Sequence, residues 1–127
     1  MNNNKWAGLD DESYKIEDLG RPAVFLLPLE KLKTTIGDKT AEEELHAFLT
    51  KNFGAFTTTT VPYFGFWRAA GTQIIYDECR LYEVSFAGKE KIPLLLKKLA
   101  EVARAIGEEC VYFKAGQYAC LVYPKAA

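Results

Sequence analysis

Six side chains near the middle of the chain are of types that hold small molecules or move protons: Tyr63, Trp67, Arg68, Asp77, Leu81 and Glu83. Tyr63 and Trp67 offer ring faces that attract flat or cationic groups, and Leu81 adds apolar surface. Arg68 presents a planar fork suited to carboxylates, while Asp77 and Glu83 are candidate acids or bases. Each also has a plainer reading. Arg68 and Asp77 stand on opposite arms of what reads as a hairpin, where a cross-strand ion pair accounts for both and is preferred. Asp77 and Glu83 share a strand parity but lie far apart along it, so they flank a site rather than act together on one bond.

His46 is the only histidine. A lone histidine acts as a general base when a cleft surrounds it and its pKa is tuned. Its place at the edge of an apolar helical stripe favours a half-buried, hydrogen-bonded boundary residue instead. Cys79, Cys110 and Cys120 are an odd number with no C-x-x-C pair, which excludes a disulfide framework and fits reduced cysteines in a cytoplasmic protein. Cys79 stands between Glu78 and Arg80, yet strand neighbours point to opposite faces, so Arg80 does not lie beside the sulfur. Packing is the expected role of all three cysteines. One histidine and scattered cysteines make no metal site. Gly65, Gly71 and Gly88 are isolated and make no phosphate loop. No cofactor is expected, and no residue is assigned a catalytic role.

Behind these residues stands a chain of 127 residues, 49% hydrophobic and 26% charged, a length and composition suited to one domain with its own core. Sixteen basic and seventeen acidic side chains leave a formal charge of -1. Nucleic-acid binding needs a basic excess to displace counterions, and there is none. Arg80 to Phe86 also lacks the glycine-and-aromatic pattern of RNA-binding strands. The longest apolar runs are too short to span a bilayer, and the polar N-terminus has no apolar stretch of signal-peptide length. The expectation is a soluble, cytoplasmic protein with neither a membrane nor a nucleic-acid partner.

The elements that must position these residues follow from local pattern. Residues 1–21 read as a polar arm opened by Asn2, Asn3 and Asn4, and residues 22–127 as one domain. Ala23 to Leu29 is a short apolar run, a buried strand that Pro28 ends. Thr40 with Glu43 is a capping box, Leu45, Phe48, Leu49 and Phe53 recur at helical spacing, and Gly54 is a left-handed stop. Phe56 to Arg68 is rich in β-branched and aromatic residues, Ala69-Ala70-Gly71 is a loop, and Gln73 to Phe86 resumes as a strand. Pro62 and Gly65 mark an edge or a bulge. Pro93 fits the first turn of a second helix with Leu95, Leu99, Val102 and Ile106 on one face, ended by Gly107. Cys110 to Phe113 and Tyr118 to Tyr123 form a last hairpin around Gly116.

The order is β-α-β-β-α-β plus one C-terminal strand. It predicts an α+β, two-layer sandwich of ferredoxin-like type, with two helices on one face of an antiparallel sheet. Alternation puts Tyr82, Val84 and Phe86 toward the helices and Cys79, Leu81, Glu83 and Ser85 away from them. Phe56, Phe64 and Phe66 take one parity of the preceding strand and Val61, Tyr63 and Trp67 the other, so both its faces are aromatic. The charges at Asp77, Glu78 and Arg80 suggest that the hairpin tip projects beyond the core.

The stretch Gly65-Phe66-Trp67-Arg68, with Gly71 at the turn and Asp77 beyond it, resembles the hairpin of a family of small bacterial α+β proteins known as a domain of unknown function. The resemblance spans Leu45 to Val111 and implies a fold, not an activity, and this sequence lacks the secretion signal expected of many members. Taken together, the residues point to a homo-oligomeric binding module that self-associates through its open sheet face and takes a small ligand or a protein partner. The alternative is a small oligomeric enzyme with an aromatic pocket between sheet and helices, using Tyr63, Trp67, Arg68, Asp77 and His46.

Overall fold

The computed structural model describes residues 5–68 and 71–125. Its elements are β1 (Arg21–Pro28), a short 3-10 turn (Glu30–Lys33), β2 (Thr35–Ile36), β3 (Lys39–Thr40), α1 (Ala41–Phe53), β4 (Thr57–Thr58), β5 (Tyr63–Arg68), β6 (Ile74–Phe86), α2 (Lys91–Ile106), β7 (Val111–Ala115) and β8 (Tyr118–Val122). The main sheet runs β4-β6-β1-β7-β8, with β5 also paired to β6 beyond β4. Every one of these pairings is antiparallel.

Helix α1 begins at a capping box, and both helices end at a glycine. The Thr40 hydroxyl accepts from the Glu43 amide at 3.1 Å, and the Thr40 amide donates to the Glu43 carboxylate at 2.9 Å. Gly54 and Gly107 close α1 and α2 at φ 81° and 73°, a left-handed turn that favours glycine. The 3.6-residue repeat then gives each helix one apolar face, with Leu45 and Leu49 on α1 and Leu95, Leu99, Val102 and Ile106 on α2.

These faces meet one side of the sheet. Ala23, Phe25 and Leu27 of β1, Tyr82, Val84 and Phe86 of β6, and Val111 and Phe113 of β7 are all buried in a single core with the helices. The Phe25 and Tyr82 rings stack with centroids 5.2 Å apart. Each fully buried side chain of this size contributes about 1.5–3 kcal/mol. The alternate residues, Val24, Leu26 and Pro28 on β1 and Leu81 and Ser85 on β6, are only half-buried. Two helices on one face therefore leave the other without a covering layer, as strand alternation predicts.

Pro22 and Pro28 fit in β1 because β7 pairs only with Ala23 to Leu26, so neither proline lies where the strand is bonded on both sides. The extended segment expected from Phe56 to Arg68 is interrupted. Four residues, Thr59 to Pro62, stand opposite two, Arg80 and Leu81, which separates β4 from β5. Thr58 and Thr59 hold this bulge through side-chain bonds with the Leu81 backbone, at 2.9 and 3.3 Å. Arg80 fastens it to α1, donating from Nε to the Thr59 carbonyl at 3.0 Å and pairing with Glu42.

Beyond the bulge, β5 and β6 run on as an arm that outreaches β1. Phe64 and Phe66 stack on Tyr76 on the helix-side parity, yet both stay exposed, Phe66 at 70%. The hairpin thus projects beyond the core as expected. The expected loop residues Ala69 and Ala70, and Asn2 to Asn4 of the arm, lie outside the described residues. Leu9, Tyr14 and Leu19 of that arm are exposed, and Ile16 is half-buried. Cys110 precedes β7 rather than opening it. Among the described residues no helix is long and apolar enough to cross a membrane.

Candidate functional site

The helix-free face is not flat where β1 stops. Pro28 pairs with Cys79, and from there β6 continues toward Ile74 with β5 as its only strand partner. The angle between this arm and the end of the sheet is a cavity of about 310 Å³. Leu26 and Pro28 of β1, Cys79 of β6, and Cys110, Tyr112 and Leu121 of the last hairpin line its sheet side. Gly65, Phe66, Trp67 and Asp77 come from the arm, and Glu108 and Glu109 from the α2–β7 loop.

The site combines ring faces with negative charge. Trp67 is two residues beyond Gly65, and Gly65 lies directly across from Asp77, so all three share the open face. The Trp67 indole Nε1 donates to Asp77 Oδ2 at 3.0 Å, fixing the ring at the cavity's edge. Glu108 accepts an ion pair from Lys31 at 2.6 Å, and Lys31 also donates to the Gly107 carbonyl at 3.3 Å. The 3-10 turn thereby holds the acidic loop in place. Among the described residues three carboxylates line the cavity, and no lysine, arginine or histidine does. Among the described residues, neither Asp77 nor Glu109 has an ion-pair partner.

Burial, with the nearby Asp77 and Glu108 carboxylates adding to it, pushes the Cys79 thiol above its ordinary 9.0. Burial raises Cys110 as well. Both sulfurs are therefore protonated at neutral pH, as wall atoms rather than nucleophiles. Among the described residues no group of histidine, cysteine, aspartate and glutamate is arranged to hold a metal ion.

Of the six side chains singled out by type, Trp67 and Asp77 line the cavity. Tyr63, Leu81 and Glu83 share its face but lie outside it. Tyr63 pairs with Cys79, Leu81 with Leu26, and Glu83 with Val24. Arg68 corrects the expectation. It pairs with Ile74, one residue out of phase with Trp67, and so points to the opposite face from Asp77. The expected Arg68–Asp77 ion pair is not formed, and Asp77 takes the Trp67 indole instead. The enzyme alternative needs a pocket between sheet and helices. That layer is filled by the core, and the cavity lies on the other side. Glu108, Glu109, Tyr112 and Leu121 carried no local signal that would assign them to a site, because pairing of distant strands brings them there.

Neither a protein-family model nor a curated protein matches the sequence. Two solved structures share the fold. One is a phage SAM lyase in complex with S-methyl-5'-thioadenosine, with TM-score 0.56 and 15% identity over 87% of this chain and 94% of that one. The other is a phage SAM lyase in the apo state, with TM-score 0.57 and 16% identity over 90% of this chain and 99% of that one. At such identity the likeness is one of fold.

His46 sits away from the cavity, between α1 and β6, where its Nε2 lies 2.8 Å from the Tyr82 hydroxyl. Its ring packs on Phe56, with centroids 4.8 Å apart. It is the hydrogen-bonded boundary residue its position suggested. Burial lowers its pKa below the ordinary 6.5, so the folded chain keeps it neutral where the unfolded chain takes a proton. Its contribution to stability is complete above pH 6.5 and is lost as pH falls through the lower folded value. Thermal unfolding between pH 7.5 and 5.5 will show the wild type losing up to a few degrees that His46→Gln retains. The difference stays small because the half-buried ring is screened by solvent. Parallel melting curves for the two chains across that range would contradict this assignment.

Proposed function

We propose that this chain binds a ring-bearing cation of the adenosyl-sulfonium class in the cavity on its helix-free sheet face. The observation that carries the reading is the lining: aromatic side chains at Trp67 and Tyr112 beside carboxylates at Asp77, Glu108 and Glu109, with no basic side chain among the described lining residues. Aromatic faces attract sulfonium and ammonium groups through the ring quadrupole, and the carboxylates of Asp77 and Glu109, without ion-pair partners among the described residues, disfavour anionic ligands. A fold shared with SAM lyase along nearly the whole of both chains supports SAM, a sulfonium carrying an adenosyl group, as the ligand to try first. That likeness also favours a second reading, in which the chain cleaves the bound SAM. We read the strand order β5–β6–β1–β7 as the ferredoxin-like arrangement, with β8 added at its edge.

The same face supports self-association. Trp67 is 46% exposed, and Tyr63, Tyr112 and Leu121 are exposed beside it. A two-fold pair makes one such patch serve twice, and a homodimer or larger assembly is the state we infer.

Titration calorimetry with SAM and the uncharged S-methyl-5'-thioadenosine tests the ligand. Wild type is expected to favour the sulfonium, and Asp77→Asn, which keeps an acceptor for Trp67, to lose about tenfold in SAM affinity, about 1.4 kcal/mol. Equal affinity for the two compounds would remove the charge argument, and mass spectrometry of the titrated mixture reads out any cleavage. In light scattering, Trp67→Glu is expected to shift the assembly toward monomer with helix content unchanged. The same mass for both chains would place the interface elsewhere.

A further inference from the structure

Within a folded chain glycine usually serves the backbone, either by taking a positive φ or by making room for neighbouring atoms. Gly20, at the entry to β1, does both: its φ is 86°, and a Cβ built there would stand 2.1 Å from the Phe86 carbonyl oxygen. Gly65 does neither. It is absent from the positive-φ glycines, and a Cβ built on it meets no atom within 4 Å. A strand interior is also a poor place for glycine, which loses the most backbone entropy on ordering and has nothing to pack. Its neighbours Tyr63, Phe64, Phe66 and Trp67 are the aromatic residues that strands favour.

The space left open at Gly65 belongs to the cavity. Along the open face of β5 the order is Tyr63, Gly65, Trp67, so the missing side chain makes a notch between two ring-bearing residues. Asp77 stands directly across the notch on β6. One of its carboxylate oxygens accepts from Trp67, which leaves the other for a donor on a ligand.

We propose that Gly65 is the specificity-determining position of this site. Its bare backbone is the seat for the flat ring of the ligand, flanked by Trp67, with the ring's N–H edge toward Asp77. The inference rests on reading the cavity as a site for an adenosyl compound, and it names the residue that admits the ring.

The test compares wild type, Gly65→Ala and Gly65→Val by thermal unfolding and by calorimetric titration with S-methyl-5'-thioadenosine. Valine suits a strand and meets no neighbouring atom at its Cβ, so Gly65→Val is expected to melt at or above the wild-type temperature while binding at least tenfold more weakly, with Gly65→Ala between. Undiminished binding by Gly65→Val, with wild type also binding, overturns this inference and leaves the site standing. A Gly65→Val chain that melts well below wild type shows that the glycine serves the fold, and overturns it too. Wild type that binds neither this compound nor SAM overturns the ligand reading and this inference with it.

Discussion

A sheet buries both faces only when something lies on each side, and the two α-helices among the described residues lie on the same side. The alternate residues of β1, β6 and β7 that meet α1 and α2 supply the buried residues of the sheet's side of the core. Their neighbours in sequence are left facing outward, where Leu26, Tyr112 and Leu121 have no layer above them. The open face is therefore a consequence of element count rather than of any one residue. What turns it into a site is unequal strand length: β6 has thirteen residues and β1 eight. The longer strand carries β5 past the end of β1, and the α2–β7 loop approaches the corner this leaves.

The corner's chemistry is independent of the core's. No buried polar or charged residue is found in the core among the described residues, whereas the cavity gathers three carboxylates against aromatic faces. Two contacts give it order without filling it. Lys31 pulls Glu108 and the Gly107 carbonyl toward the 3-10 turn, and the Trp67 indole is bonded to Asp77 across the arm. Neither joins the domain's hydrophobic core, so the groups that face a ligand can differ between proteins of this fold while the packing beneath is kept. A shared fold at 15–16% identity is consistent with that separation.

Much of the scaffold was legible because its signals are local. The Thr40–Glu43 box, the stops at Gly54 and Gly107 and the period-two pattern of Tyr82, Val84 and Phe86 each act over a few residues, and the structure follows them. The site was legible only on the hairpin, where Trp67 and Asp77 share a strand pair. Arg68 and Asp77 are complementary in charge across the hairpin, but parity decides which side chains meet, and it puts them on opposite faces. The remaining lining residues come from β1, β7, β8 and a loop, placed by pairings such as Leu26 with Tyr112 that join distant parts of the sequence. Pro62 and Gly65 signal an edge or a bulge, and the structure has both: the bulge at Thr59 to Pro62, and β5 at the edge of the sheet beside β6. What the glycine leaves open is visible only with its surroundings in place.

The central claim, that a ligand occupies the corner between the hairpin arm and the end of β1, is tested most directly by the thiols on its wall. Cys79 and Cys110 line the cavity, while Cys120 pairs with Phe113 and lies outside it. Iodoacetamide labelling mapped by mass spectrometry, with and without saturating SAM, reads each thiol separately. Labelling of Cys79 and Cys110 should be slow at neutral pH because their thiols are held protonated, and slower still with SAM, while Cys120 is unaffected. SAM that binds by calorimetry yet leaves Cys79 and Cys110 labelling unchanged would place the ligand elsewhere and contradict the account.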